Sequence, residues 1–228
     1  MKKIETPLAI DAVVIDLDGT LLHTAPDLAE AANRMMAELQ LPPVEEAVVS
    51  TYIGNGVGRL IKRVLTGSME GEPDPLLYQR ASEIYMRHYA DVCARSQPFP
   101  DVLPGLQALK QAGFRLGCIT NKAEQFTVPL LKEAGLYDFF ELVLSGDTLP
   151  KKKPDPMPLL YACEKFGTVP ERLLLIGDSL NDTQAARAAG CHVFCVPYGY
   201  NRGNDVRELD LDAVVGGVLD AARLIRKV

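Results

Sequence analysis

A chain of 228 residues with 24 Lys+Arg against 30 Asp+Glu carries a formal net charge of −6, which speaks against a nucleic-acid surface or attraction to anionic lipid. Its 47% hydrophobic and 24% charged residues fall in the globular range and exclude a charge-dominated disordered chain. Five cysteines, Cys93, Cys118, Cys163, Cys191 and Cys195, are odd in number and irregular in spacing, so neither a disulfide framework nor a C-x-x-C metal site is expected.

Near the start, Glu5, Pro7 and Asp11 interrupt any apolar run long enough for a signal peptide or membrane span, and a cytoplasmic location is expected. Ala12-Val13-Val14-Ile15 is the first short continuous apolar run, the pattern of a strand buried on both faces. The next such run does not arrive until Leu116. Between them Leu28, Ala32, Met35 and Leu39 recur at helical spacing, Val57 to Leu65 does likewise before Gly67, and Leu77, Ala81, Ile84, His88 and Val92 mark a longer helix. Residues 22–97 therefore read as an all-helical insertion, with His88 packed in its core. It ends at Pro98-Phe99-Pro100, where two prolines favour an extended connection.

Beyond that linker the apolar runs return as Leu116–Ile119, Leu142–Leu144, Leu173–Ile176 and His192–Val196. Helical stretches alternate with them, Leu106–Ala112, Glu124–Ala134, Pro156–Phe166 and Asp182–Ala189, each followed by a glycine. Glycine just past a helix end suits the left-handed position there, so the alternation predicts repeated β-α units around a parallel sheet.

The chemistry-bearing residues fall at the ends of these strands. In Asp16-Leu17-Asp18-Gly19-Thr20 the two carboxylates are two residues apart, so on extended backbone both project the same way, beyond the carboxyl end where open α/β sheets bind ligands. Gly177-Asp178-Ser179-Leu180-Asn181-Asp182 sets a second acidic pair at another strand end. Oxygen ligands converging from separate strands suit Mg²⁺, with water and a substrate phosphate completing its octahedron. Thr120, followed by Asn121-Lys122, supplies a hydroxyl donor, and Lys153 supplies positive charge. Pro154 restricts the backbone of Lys153 and so aims its side chain. Lys151 and Lys152 read as solvated, Lys122 as part of an ordinary helix start, and His192 as a packed strand residue.

These four elements, in this order, resemble the haloacid dehalogenase superfamily of phosphohydrolases, and the likeness spans essentially the whole chain. The resemblance implies an α/β fold with a doubly wound, Rossmann-like parallel-sheet core from residues 1–21 and 98–228, and a helical cap at 22–97. It further implies that Asp16 attacks phosphorus to give an aspartyl-phosphate, while Asp18 protonates the leaving alkoxide and then activates water. Asp16, Asp178 and the main-chain carbonyl of Asp18 would hold Mg²⁺, Thr120 and Lys153 would orient the phosphoryl group with Asn121 beside them, and Asp182 would support the metal site from behind its ligands.

Within the superfamily, DLDGTLLHTAPDL at Asp16 to Leu28, the stretch from Tyr52 to Leu60 and Asp147-Thr148-Leu149 running into Lys153-Pro154 resemble the branch that hydrolyses 2-phosphoglycolate. His23 stands where relatives often carry Asp. Gly54-Asn55-Gly56-Val57-Gly58 is not a nucleotide phosphate loop. It reads either as a flexible turn or as a loop whose amides, with Asn55, Gly56 and Arg59, contact the far end of a small anionic substrate. A small phosphorylated molecule is then the expected partner, with nucleic acid and membrane excluded. Sugar-phosphate hydrolysis, phosphoglucomutase-like transfer, a phospho-accepting signalling module and a catalytically silent binding domain remain the alternatives.

Overall fold

The computed structural model describes residues 7–228; positions 1–6 of the segment expected at 1–21 lie outside the described residues. The chain begins with β1 (Leu8–Ile10), β2 (Ala12–Ile15) and β3 (Leu22–His23). Four helices follow, α1 (Ala25–Glu38), α2 (Glu46–Tyr52), α3 (Val57–Thr66) and α4 (Pro75–Val92), and β4 (Gln97–Pro98) returns the chain. The remainder alternates as α5 (Val102–Gln111), β5 (Arg115–Ile119), α6 (Glu124–Glu133), β6 (Leu142–Leu144), α7 (Met157–Phe166), β7 (Leu173–Gly177), α8 (Leu180–Ala189) and β8 (His192–Cys195). It closes with β9 (Ala213–Val214), α9 (Val218–Arg223) and β10 (Ile225–Lys227).

Six strands form one parallel sheet in the order β6-β5-β2-β7-β8-β9. The chain winds outward from β2 to β5 and β6, then crosses back to β7 on the other side of β2, so β2 stands where the winding direction reverses. Ligands in such sheets bind at that switch point, outside the carboxyl ends of the strands. Alternation along β2 sends Val13 and Ile15 into one apolar layer with Leu106, Leu116 and Ile176, and Ala12 and Val14 into the other with Leu159, Phe166 and Leu175. Both faces are covered, which is why the strands read as unbroken apolar runs.

The helices α1 to α4 bury a separate core around Leu28, Met35, Leu60, Tyr85 and Tyr89. The two chain crossings between this insertion and the sheet run side by side as the antiparallel pair β3 and β4, with Leu22 opposite Pro98. His88 is not part of that core. It is half-buried, with Nε2 3.1 Å from Glu38 Oε2 at the surface, because an imidazole beside a carboxylate is better solvated there than among apolar side chains. His192, the first residue of β8, is likewise half-buried, with Nδ1 3.3 Å from Asp212 Oδ2.

Gly113, Gly135, Gly167 and Gly190 all have positive φ, from +62° to +81°, as the helix-end pattern requires. Helix α5 starts four residues earlier than its apolar spacing suggests, with Pro104 accommodated in its first turn, where no intrahelical N–H partner is lost. All five cysteines are buried free thiols. No helix among the described residues is long and apolar enough to cross a membrane.

Candidate active site

Parallel register brings the site together. Ile15 is level with Cys118 on β5 and with Ile176 on β7, so the residues that follow these strands emerge at one edge of the sheet. Asp16, Thr120 and Asp178 all line the same buried cavity there. Asp178 occupies a notch between two glycines: a Cβ on Gly19, whose φ is +82°, would lie 2.4 Å from Asp178 Oδ2, and one on Gly199 would lie 2.2 Å from Asp178 Cβ. The carboxylate is held there by the Tyr200 N–H, which donates to Oδ2.

Lys153 is the central cation, 2% exposed. Its Nζ lies 2.9 Å from Asp16 Oδ1 and 2.7 Å from Asp182 Oδ1. The other oxygen of Asp182 accepts from Ser179 N at 3.1 Å, Ser179 Oγ at 2.7 Å and Asp178 N at 3.3 Å. This is the reciprocal capping pattern at the start of α8. Asp182 is therefore both a helix-start acid and the anchor that ties Lys153 to the Asp178 loop. Asp16 Oδ1 also accepts from Leu17 N at 2.7 Å. Among the described residues no donor is bonded to Asp16 Oδ2 or Asp178 Oδ1.

The electrostatics are unbalanced. Burial pushes Asp16 up to about 7, against the opposing pull of Lys153 and with the help of Asp182 and Asp18. Burial also raises Asp178 well above the carboxylate range, reinforced by Asp182 and Asp16. For Lys153 burial acts against the charge, but Asp16 and Asp182 outweigh it and hold its pKa above the ordinary lysine value. Four carboxylates, Asp16, Asp18, Asp178 and Asp182, face two ammoniums, Lys122 and Lys153. With all four ionised, the set carries an excess of two negative charges, which one divalent cation would offset. Asp16, Asp178 and Asp182 each offer an oxygen within 4.8 Å of the others, an all-oxygen set that fits a hard ion such as Mg²⁺. Because both oxygens of Asp182 are committed, Asp16 and Asp178 are the carboxylates of this set suited to ligate it.

Lys122 departs from its expected role. Beyond an ordinary helix-start residue, it is 4% exposed, and its Nζ lies 2.9 and 3.2 Å from the two oxygens of Asp18, over the Tyr89 ring. The signal was present in the sequence: Thr120 and Lys122 are two apart beyond a strand end, the same spacing that sends Asp16 and Asp18 to one side. Thr120 Oγ1 accepts from Lys122 N at 3.2 Å. Asn121 donates from Nδ2 to Lys153 O and to Gly54 O, both at 2.8 Å, and its Oδ1 is buried without a partner among the described residues. Lys152 is exposed, as expected, and donates to Asn55 O at 3.1 Å. Lys151 pairs with Asp155 at the surface.

The helical insertion roofs the cavity with Leu28, Ile53, Gly54, Gly56, Val57 and Leu60. Gly56 lines this cavity, whereas Asn55 and Arg59 line a second, more open one that Gly56 shares. The Arg59 guanidinium turns outward to Glu70, to Glu72 at 2.7 Å and to Met69 O at 3.0 Å, where exposed carboxylates attract it. The Asn55 side chain points into the interface with the core, accepting from Arg63 and Arg202. Tyr200, which the sequence did not flag, also lines the cavity.

A cavity at the switch point of a doubly wound sheet, floored by paired carboxylates and buried lysines and roofed by a helical insertion, defines a hydrolase of the haloacid dehalogenase type. The chain belongs to the haloacid dehalogenase-like hydrolase family, whose model matches residues 13–196. It is 68% identical over 222 residues to the phosphoglycolate phosphatase of Thiobacillus denitrificans, covering 97% of this chain and 98% of that protein. With the phosphoglycolate phosphatase of Nitrosospira multiformis it shares 58% identity over the same proportions. A predicted phosphoglycolate phosphatase from Haemophilus somnus 129pt has a crystal structure that superposes with a TM-score of 0.87 at 34% identity, covering 92% of this chain and 96% of that one.

Proposed function

We propose that the chain hydrolyses a small phosphomonoester through a covalent intermediate on Asp16, with 2-phosphoglycolate as substrate and glycolate and phosphate as products. The observation that carries it is the state of Asp16: it lines the cavity with Asp178 and Asp18, its Oδ1 is fixed by Leu17 N–H and Lys153, and no donor among the described residues is bonded to its Oδ2. Phosphoglycolate is favoured among small phosphates by the named relatives that match nearly the whole chain.

In this mechanism Asp16 Oδ2 attacks phosphorus as the P–O bond to glycolate breaks, and Asp18 gives its proton to the departing alkoxide. Asp18 then takes a proton from the water that displaces Asp16 from phosphorus. Lys153 and the Thr120 hydroxyl hold the phosphoryl oxygens, and Lys122 exchanges Asp18 for a phosphoryl oxygen as substrate enters. Asp16 and Asp178 would hold Mg²⁺, which would further neutralise the phosphoryl charge. Residues 22–97 serve as the cap over a core of 1–21 and 98–228. Among the described residues the roof of this cavity offers no charged side chain, so the substrate carboxylate is read by main-chain N–H groups around Gly56 and Val57, at the start of α3, where the helix dipole also favours an anion.

A panel of phosphomonoesters, assayed as kcat/KM with Mg²⁺ and with EDTA, tests the substrate assignment. Phosphoglycolate should lead the panel and EDTA should silence it; a tenfold preference for a sugar phosphate would overturn the substrate. Asp18→Asn should lower kcat by at least about 100-fold, because an amide neither gives nor takes the required proton. Turnover near that of the wild type would remove Asp18 from proton transfer.

A further inference from the structure

Two guanidinium groups converge on one neutral oxygen. Asn55 Oδ1 accepts from Arg63 Nη2 and from Arg202 Nη2, each at 2.9 Å. Arg63 belongs to the helical insertion, is 1% exposed, and also donates to Tyr52 O at 2.8 Å and Met69 O at 3.0 Å. Arg202 comes from the core, on the loop after β8. Among the described residues neither guanidinium has a carboxylate partner within ion-pair distance. Arg202 also holds a left-handed backbone, φ +52°, a conformation that is uncommon for a side chain of this size and persists where surrounding contacts impose it.

The core grips the same short loop through the machinery of the reaction. Gly54 O accepts from Asn121 at 2.8 Å and from Asn181 at 3.0 Å, and Asn55 Nδ2 donates to Asn181 Oδ1 at 3.3 Å. Asn121 is bonded to the Lys153 carbonyl, and Asn181 lies between Asp178 and Asp182. Two residues before Arg202, Tyr200 holds Asp178 with its N–H and accepts from Ala25 N at 3.0 Å, where α1 begins. One core segment therefore touches the carboxylate site, the entry to the insertion and the loop over the cavity.

We propose that Arg202 is a positioning residue for the hydrolytic reaction: through Asn55 it latches the Gly54–Gly56 loop over the catalytic carboxylates. The proposal rests on the phosphatase function given above but not on its substrate. Arg202 does not line the cavity, so it acts through Asn55. Its bond carries a charge at one end, so it is stronger than a neutral hydrogen bond and holds the loop in place over the carboxylates.

The test combines Arg202→Ala, Asn55→Ala, the double variant and Asn55→Asp in the full chain. Amide hydrogen exchange at residues 53–58 is read alongside kcat/KM on the best phosphomonoester in the panel. Arg202→Ala should speed exchange at 53–58 and lower kcat/KM by about tenfold, the scale of one charge-assisted bond. In the Asn55→Ala background it should add almost nothing, since the partner is already gone. Asn55→Asp gives both guanidiniums a carboxylate and should slow exchange below the wild-type rate, an outcome that loss of packing does not produce. Additive losses, unchanged exchange in Arg202→Ala, or protection lost throughout all four helices of the insertion would overturn the latch. Exchange needs no turnover, so a chain that ignores phosphoglycolate would defeat the substrate assignment and leave the latch to be judged by exchange.

Discussion

Asp16→Asn is expected to abolish hydrolysis, by at least about 10⁴-fold, the scale on which enzymes lose activity with their nucleophile. The amide has no anionic oxygen to bond to phosphorus. It is nearly the same shape, and its carbonyl still accepts from Leu17 N–H and Lys153. The fold should therefore survive, and the metal-free variant should melt higher than the wild type. Burial holds Asp16 at about 7, well above a free carboxylate, which means that its charge costs stability near neutral pH. Removing that charge relieves the crowding with Asp178 and Asp182. Phosphate release in a single turnover and a thermal melt in EDTA check both halves. Activity close to wild type would remove Asp16 as nucleophile, and a lower melting temperature would refute the charge balance.

The parts legible in sequence were those fixed by local periodicity or by spacing along one strand. Ala12–Ile15 is buried on both faces, so it reads as continuous apolar sequence, and Asp16 and Asp18 follow at the spacing that shares a side. The glycine stops worked because each needs a positive φ. What escaped were contacts between distant segments. Strands β3, β4 and β9 have two residues each, too few for any pattern to register, and β10 carries Arg226 and Lys227 in place of an apolar run. Arg59, Lys62 and Arg63 lie on one helix, and nothing in their order says that Glu70 and Glu72 draw Arg59 and Lys62 outward while Tyr52, Asn55 and Met69 hold Arg63 inward. Tyr200 and Arg202 belong to a loop without pattern, and only the sheet brings it beside Asp178 and Asn55.

Lys153→Met separates the structural from the catalytic work of one buried charge. The ammonium lies between Asp16 and Asp182, and Met keeps most of the side chain's length and apolar volume without the charge. Three carboxylates with atoms within 4.8 Å of one another would then lack their nearest cation. Breaking a buried pair costs about 3–5 kcal/mol, which in a chain of this size lowers Tm by roughly 6–20 °C. Protons should reverse that loss. In the wild type the folded-state pKa values of Asp16 and Asp178 are raised, so between the unfolded carboxylate value and the folded one the native state binds more protons. Stability from these groups is thus gained as pH falls and lost as pH rises through the folded values. Lys153 pulls Asp16 downward, so its loss pushes that carboxyl higher still. The Tm gap between variant and wild type should be widest near about pH 8 and narrow towards about pH 5. Mg²⁺ should narrow it at the higher pH, contributing about 2.7 kcal/mol when present at a hundred times its Kd. Neither treatment should restore turnover, which stays about 10²–10³-fold down because the phosphoryl group in flight has lost a preorganised ammonium. Equal melting of the two proteins in EDTA at about pH 8 would take Lys153 out of the carboxylate balance, whereas turnover rescued by Mg²⁺ would take it away from the phosphoryl group.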